Sequence, residues 1–415
     1  MSFAQAIDPP PRGPYSRPKD IASLRSRETH DQGGNMKGTS PGACVRLAIV
    51  VAALTLLMAG TANAADYDLY FGDLHAHTNY SDGTGTPADA YAAACAAAQA
   101  GETDFFATTD HNHCSYGDGW MTTANWAATL RAADKFNKDG EFVTLPGYEF
   151  WMPWMTAGEM NIFNAAEIFG QSGNPAGNGY NNGHKRGMVK LLPSLYDWLA
   201  ASGAVGQWNH PDYYGGDRSA TSDWYQFGYY TPQRDQGVNM IEIWNEITYE
   251  PAYVRALDAG WHVLPSASSD THYADWITGC DVRTVLLAQD LTRDDLFDAM
   301  RASRGYATED KNLEIRYTLG GEVMGSTLSP QESYAASIEI HDPDGAADAV
   351  KLVEIVSDGG KVVTSKAFDS ADVNWTIEEF PSSTERYFFV RVTTESDFWG
   401  NEGVTAWTAP VWTGR

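Results

Sequence analysis

Five short strings concentrate imidazole and carboxylate groups in this chain. They are Asp73-Leu74-His75-Ala76-His77, running on to Ser81-Asp82-Gly83; Asp110-His111-Asn112-His113; Gly147-Tyr148-Glu149; Asn209-His210-Pro211; and Asp270-Thr271-His272. His75 and His77 stand two apart, so on an extended segment they project to one face and can reach one ion. An H-x-H pair alone is weak evidence, because buried structural histidines produce many. Here, however, six histidines fall in these strings: His75, His77, His111, His113, His210 and His272. Gathered with Asp82, Glu149 and Asp270, they would be costly to bury unpaired. Divalent ions supply a reason for the cluster. Nitrogen and carboxylate donors suit zinc, manganese or iron better than calcium. No C-x-x-C occurs, so neither a zinc knuckle nor a thioredoxin-like site is indicated.

Each string ends an apolar, β-rich run. Strands are predicted at 69–74, 105–109, 142–146, 160–163, 204–208, 240–243, 262–267 and 285–287, and helices at 87–100, 123–137, 189–201, 251–259 and 293–303. This alternation predicts a mainly parallel α/β barrel over 65–310. In such a barrel all strand C-termini open on one face, which brings the five strings together. Two Gly-, Asn- and aromatic-rich stretches, 170–187 and 213–237, are long for loops without a use and are read as rims of the site. Beyond Gly305, short alternating runs at 335–341, 351–357, 361–365, 374–377, 387–394 and 405–411 predict a small antiparallel β-sandwich, assigned to 325–415.

The first 64 residues read as a leader. A basic start at Met36-Lys37, an apolar run over 47–59 and Ala62-Asn63-Ala64 make a signal peptide, 36–64, cut after Ala64. Residues 1–35 show no apolar period, and Met36 is read as the true start. The apolar run is shorter than the roughly 20 residues an anchor needs, so a periplasmic or secreted protein without a membrane anchor is expected. The chain carries 28 Lys+Arg against 54 Asp+Glu; without the leader 21 face 50, a net charge of −29. That surface repels nucleic-acid polymers at long range. A small-molecule substrate is expected instead. Cys114 and Cys280 follow strings on the same predicted face, and a disulfide between them is expected, with Cys95 as the free thiol.

The strings DLHAHTNYSDG, TDHN, PGYE, NHP and SDTH, in this order between Asp73 and His272, resemble the PHP (polymerase and histidinol phosphatase) superfamily of metallophosphoesterases. The tail VRVTTESDFWGNEGVTAWTAPVWT is similar to the C-terminal β domain of its secreted members. The resemblance implies a distorted (β/α)7 barrel holding two or three divalent ions. One ion would take His75, His77, Glu149 and Asp270; Glu149 would bridge to a second on His210; Asp82, His111 and His272 would hold a third. A water bridging the ions would be the nucleophile. Where the family often carries a further histidine, this chain has Glu159, a harder ligand for the second ion, with His184 as a possible substitute. Asp110 and His113 would orient a ligand or carry a proton to the leaving group. Arg186, Arg218, Arg283 and Arg304 are candidates for a substrate phosphate. Trp151, Trp154, Trp208, Tyr213, Tyr214 and Trp244 are candidates for an aromatic platform. Three functions compete: hydrolysis of a small phosphate ester, hydrolysis of a carboxyl ester, carbamate or amide at the same metals, and non-catalytic binding of metal or carbohydrate.

Overall fold

The computed structural model describes residues 67–112, 121–151, 158–169, 185–212, 222–245, 247–382, 384–395 and 403–414. The leader, His113, Cys114, Trp154, His184, Tyr213, Tyr214 and Arg218 lie outside them, as does the side chain of Arg186. In chain order the first elements are β1 (Asp68–Asp73), α1 (Pro87–Gln99), β2 (Phe105–Thr108), α2 (Thr123–Phe136), β3 (Val143–Trp151) and β4 (Glu159–Phe163). Then come α3 (Lys185–Ser202), β5 (Val205–Asn209), α4 (Ser222–Phe227), β6 (Val238–Asn245), β7 (Ile247–Thr248) and α5 (Glu250–Asp258). β8 (Leu264–Ala267), β9 (Arg283–Ala288), α6 (Arg293–Arg301) and β10 (Gly305–Thr308) complete this part. α1 begins as its sequence dictates. Thr86 accepts from the Asp89 amide, the Asp89 carboxylate accepts from the Thr86 amide, and Pro87 fills the first turn.

The strands form one sheet in the order β7-β6-β5-β4-β3-β2-β1-β9-β10, with β8 also on β6. β1, β2 and β3 run parallel, as do β5, β6 and β8. The expectation of a mainly parallel sheet needs correction between and beside these groups. β4 is antiparallel to both β3 and β5, β9 is antiparallel to β1, and β10 to β9. The β3–β4 connection, residues 152–158, is too short for the crossover a parallel pair requires. Beyond the ends of β1 and β8 the chain pairs again: the Asp270 amide donates to the His75 carbonyl and the His77 amide to the Thr271 carbonyl, both at 2.9 Å. The Thr284 hydroxyl bonds the Ala267 amide and carbonyl, joining β8 to β9. Gly72 permits the approach of β1 to β2, since a Cβ there would meet the Phe105 ring at 2.3 Å.

The C-terminal strands are β11 (Glu314–Leu319), β12 (Glu322–Val323), β13 (Ser333–His341), β14 (Val350–Ser357), β15 (Lys361–Ser370), β16 (Asp372–Pro381), β17 (Tyr387–Thr394), β18 (Val404–Thr408) and β19 (Val411–Trp412). They pack as two layers, but not as the self-contained sandwich expected. β18, β17, β14 and β15 extend the main sheet through β10, while β12-β11-β13-β16 make a separate four-stranded sheet. Ile315, Tyr317 and Ile338 of the small sheet share one apolar core with Phe388 and Val390 of the large one. Arg391 pairs with Glu250 of α5 and with Glu354, and Arg386 with Asp258 and Asp358, fixing these strands to the helix. Among the described residues no helix is long and apolar enough to cross a membrane.

Candidate metal centre

His75 and His77 leave β1 with both rings fully buried. His75 Nδ1 lies 2.8 Å from Glu242 Oε1, an acceptor, so Nδ1 carries a proton and Nε2 faces inward. His77 is fixed by a longer chain. The Ser81 hydroxyl donates to Asp110 Oδ1 at 2.8 Å, leaving its oxygen to accept from His77 Nδ1 at 3.1 Å. His272 Nδ1 faces the Asp270 carbonyl at 2.9 Å, which can accept and not donate. Three rings thus keep Nδ1 bonded away from the hollow and turn Nε2 towards it.

The inward atoms are spaced as ligands. His75 Nε2 and His77 Nε2 are 3.3 Å apart. Asp270 Oδ1 is 3.1 and 3.0 Å from them, and Glu149 Oε2 is 3.4 and 3.3 Å. A tetrahedron with metal–ligand bonds of about 2.05 Å has edges of about 3.3 Å. Asp270 Oδ1 and Glu149 Oε2 are buried yet accept no hydrogen bond. Orphaned buried acceptors of this kind are expensive without a cation. The donor set therefore fits a divalent ion.

Two further groups adjoin the first. Asp82 Oδ1 stands 3.8 Å from His111 Nε2 and 3.4 Å from His272 Nε2, with His77 near enough to share an ion with them. On the other side, His210 Nε2 lies 3.3 Å from Glu149 Oε1 and 3.2 Å from Glu159 Oε2. His111, Glu149 and Glu159 offer atoms within 4.8 Å of one another. Glu149 faces both sides, with His111 Nδ1 at 2.9 Å from its Oε2. Its Oε1 also accepts from Asn209 Nδ2 at 2.7 Å.

The charges of the cluster are interdependent. Burial alone would make His75 less basic, but Asp270, Glu149 and Glu242 outweigh it and hold His75 well above the usual histidine range. Burial likewise opposes a rise of His77, but the neighbouring carboxylates of Asp270 and Glu149 overcome it and lift the ring to about 9. Burial would raise Asp270 and Glu149; the surrounding imidazoles reverse that and hold both below the ordinary carboxylate range. Two site residues also carry backbone strain. His210 and Asp270 have φ of +28° and +49°, conformations that non-glycine residues keep when their surroundings impose them.

Of the predicted site residues, His75, His77, Asp82, His111, Glu149, Glu159, His210, Asp270 and His272 converge at this mouth. Asp110 is fully buried with its oxygens taken by Thr78 and Ser81, so it has the position of an orienter and not of a proton carrier. Two arginine expectations are corrected. Arg283 is buried and donates to the carbonyls of Glu102, Ile277, Cys280 and Val282. Arg304 bonds the Leu287 carbonyl and lies over the Tyr67 ring. Trp208 is likewise no platform: it is fully buried against Trp224, Phe227 and Trp261. Cys280 is a free thiol, as is Cys95. Glu242 escaped the sequence reading. It also accepts from the His210 amide at 2.7 Å and Asn245 Nδ2 at 3.0 Å. Its signal was a lone acid inside the apolar strand Met240-Ile241-Glu242-Ile243-Trp244. Beside the cluster opens a cleft of about 690 Å³ lined by Trp244, Asn245, Asp270, His272, Tyr273 and Cys280, a size suited to a small organic ligand.

No protein-family model and no curated protein matches the chain. Among solved structures it is similar to a two-domain protein containing a predicted PHP-like metal-dependent phosphoesterase from Bacteroides vulgatus. The two share 14% identity with a TM-score of 0.43, over 85% of this chain and 97% of that one.

Proposed function

We propose that this chain is an exported metal-dependent hydrolase acting on a small phosphate ester. The observation that carries the reading is the ring of imidazole Nε2 and carboxylate oxygens aimed at shared points beside an open cleft. His75, His77, Glu149 and Asp270 would hold one ion, His210 and Glu159 a second with Glu149 between them, and Asp82, His111 and His272 a third. Zinc, manganese and iron all suit these donors. When bound, such ions activate water near neutral pH and neutralise charge on the attacked group.

The chain's own residues do the rest. Glu242 holds His75 and the His210 backbone, and Asp110 holds His77 through Ser81. Trp244 and Tyr273 line the cleft and would contact the organic part of a substrate there. His113 is the proposed proton donor to the leaving group. A second reading, hydrolysis of a carboxyl ester, carbamate or amide, is favoured by one finding. Arg283 and Arg304 are committed to backbone carbonyls, and among the described residues neither lysine nor arginine lines the cleft.

The test is purified protein loaded separately with zinc, manganese or iron and assayed on phosphomonoesters, phosphodiesters and carboxyl esters. Turnover of phosphate esters supports the first reading, and turnover of carboxyl esters alone moves the assignment to the second. No turnover with any loaded metal overturns both and leaves a binding protein. Asp270→Asn should cost more than about 100-fold in turnover, above the range typical of an outer partner, with metal content reduced and the far-ultraviolet spectrum unchanged. Near-wild-type turnover with full metal content would remove Asp270 from the ligand set.

A further inference from the structure

A second, chemically different cluster lies among the C-terminal strands. Asp310, Asp342, Asp344 and Asp348 each offer a carboxylate oxygen, and these oxygens lie within 4.8 Å of one another. Among the described residues none of the four pairs with lysine, arginine or histidine. Asp342 is 1% exposed, and its Oδ2 is buried without a hydrogen-bond partner. Its other oxygen accepts from the Asp344 amide at 2.9 Å. A buried carboxylate oxygen with nothing to bond, on a side chain grouped with three more carboxylates, is a destabilising arrangement unless a cation joins it.

We propose that these four aspartates form a calcium site, separate from the imidazole cluster. The donors are all oxygen, which selects a hard cation over zinc or iron. Calcium takes oxygens at about 2.3–2.6 Å, so two on opposite sides of the ion stand up to about 5 Å apart. Four oxygens within 4.8 Å can therefore share one ion. Asp342-Pro343-Asp344-Gly345 places two carboxylates at alternate positions, and Gly345, at φ +75°, makes the turn that returns Asp348. Magnesium is less suited, because it keeps its waters and demands an octahedron.

The position gives the ion a task. Asp310 follows β10 of the main sheet, Asp342 follows β13 of the four-stranded sheet, and Asp348 lies just before β14, back in the main sheet. The ion would staple the crossing of the chain between layers. Asp344 is exposed and Asp348 half-buried, so both can be changed without opening the core.

The experiment is thermal unfolding of the full chain, saturated with manganese to fill the imidazole cluster, with added calcium or with a calcium-selective chelator. Calcium at about 10 mM, a level that fills weak sites of this type, should raise the wild-type midpoint by several degrees, and Asp270→Asn should respond equally. Asp344→Asn and Asp348→Asn should lose most of the response. Asp348→Asn should also match or exceed wild type in chelator, since it removes repulsion; a merely structural aspartate would not show that reversal. Calorimetric titration of wild type with calcium should give one site that Asp344→Asn abolishes. An unmoved wild-type midpoint, a response retained in both variants, or one lost in Asp270→Asn would overturn the proposal.

Discussion

Glu242 shows how much of a metal centre can rest on a side chain that touches no ion. One oxygen takes His75 Nδ1 and the other takes the His210 amide and Asn245 Nδ2. One carboxylate thus sets the tautomer of one proposed ligand and the backbone position of another. Glu242→Gln keeps the volume but offers an N–H where His75 also presents one. One of the two contacts must break, and the His75 ring is free to turn. Loss of such a partner typically costs 10–100-fold in metal affinity or activity. We expect that range for Glu242→Gln in a competitive chelator titration, with the fold intact by circular dichroism. Unchanged affinity would mean that the strand backbone alone positions His75. The Asp110–Ser81–His77 chain makes the same kind of contact with a hydroxyl interposed.

At the scale of elements, the direction of β4 decides what Glu159 can do. Parallel strands bring their C-terminal ends to the mouth; β4, being antiparallel, brings its first residue. Glu159 pairs in register with Trp151 and Asn209, which puts it beside His210. Two carboxylates and one imidazole make a harder donor set than two imidazoles and one carboxylate. Glu159→His should therefore raise zinc affinity relative to manganese and move the activity profile to lower pH. An unchanged zinc-to-manganese ratio in competition titrations would separate Glu159 from the ion. The sequence could place the strings at strand ends because apolar runs and caps are local signals: the Thr86–Asp89 box and the runs before His75 and His210 stand where their residue types predict. Pairing direction is not local. Gly147-Tyr148-Glu149 reads as the end of a strand, yet β3 continues to Trp151 and folds straight back into β4. The C-terminal runs were likewise legible as strands, but nothing in their alternation says that β18 pairs with β10.

At the scale of the whole molecule, protons and metal ions compete for one store of negative charge. The chain carries a net charge of −26 at neutral pH, and the cluster gathers Asp82, Glu149, Glu159, Glu242 and Asp270. Without metal, the imidazoles balance them by holding protons. His75, His77, His111, His210 and His272 all lie above the ordinary histidine value of 6.5, with carboxylate partners outweighing burial in each. A raised folded-state histidine contributes stability that is complete below its unfolded value and lost as pH rises through its folded value. For His77 that window runs from 6.5 to about 9. Asp82 and Asp270 act in the opposite sense: their imidazole neighbours lower them, and their contribution is present above 3.8 and lost as pH falls. The chelated protein should thus be most stable between these limits and weaken from pH 6.5 to about 9. At about 1.4 kcal/mol for each pH unit of that window, His77 alone accounts for roughly 3 kcal/mol of the loss. Bound ions replace the protons, so metal affinity rises over the same interval. The gap in unfolding midpoint between metal-loaded and chelated protein should widen by several degrees from about pH 6 to about pH 9. Scanning calorimetry of the two forms across that range checks it. A gap that stays constant or narrows would mean that the imidazoles already face the hollow unprotonated, and that the carboxylates are balanced from elsewhere.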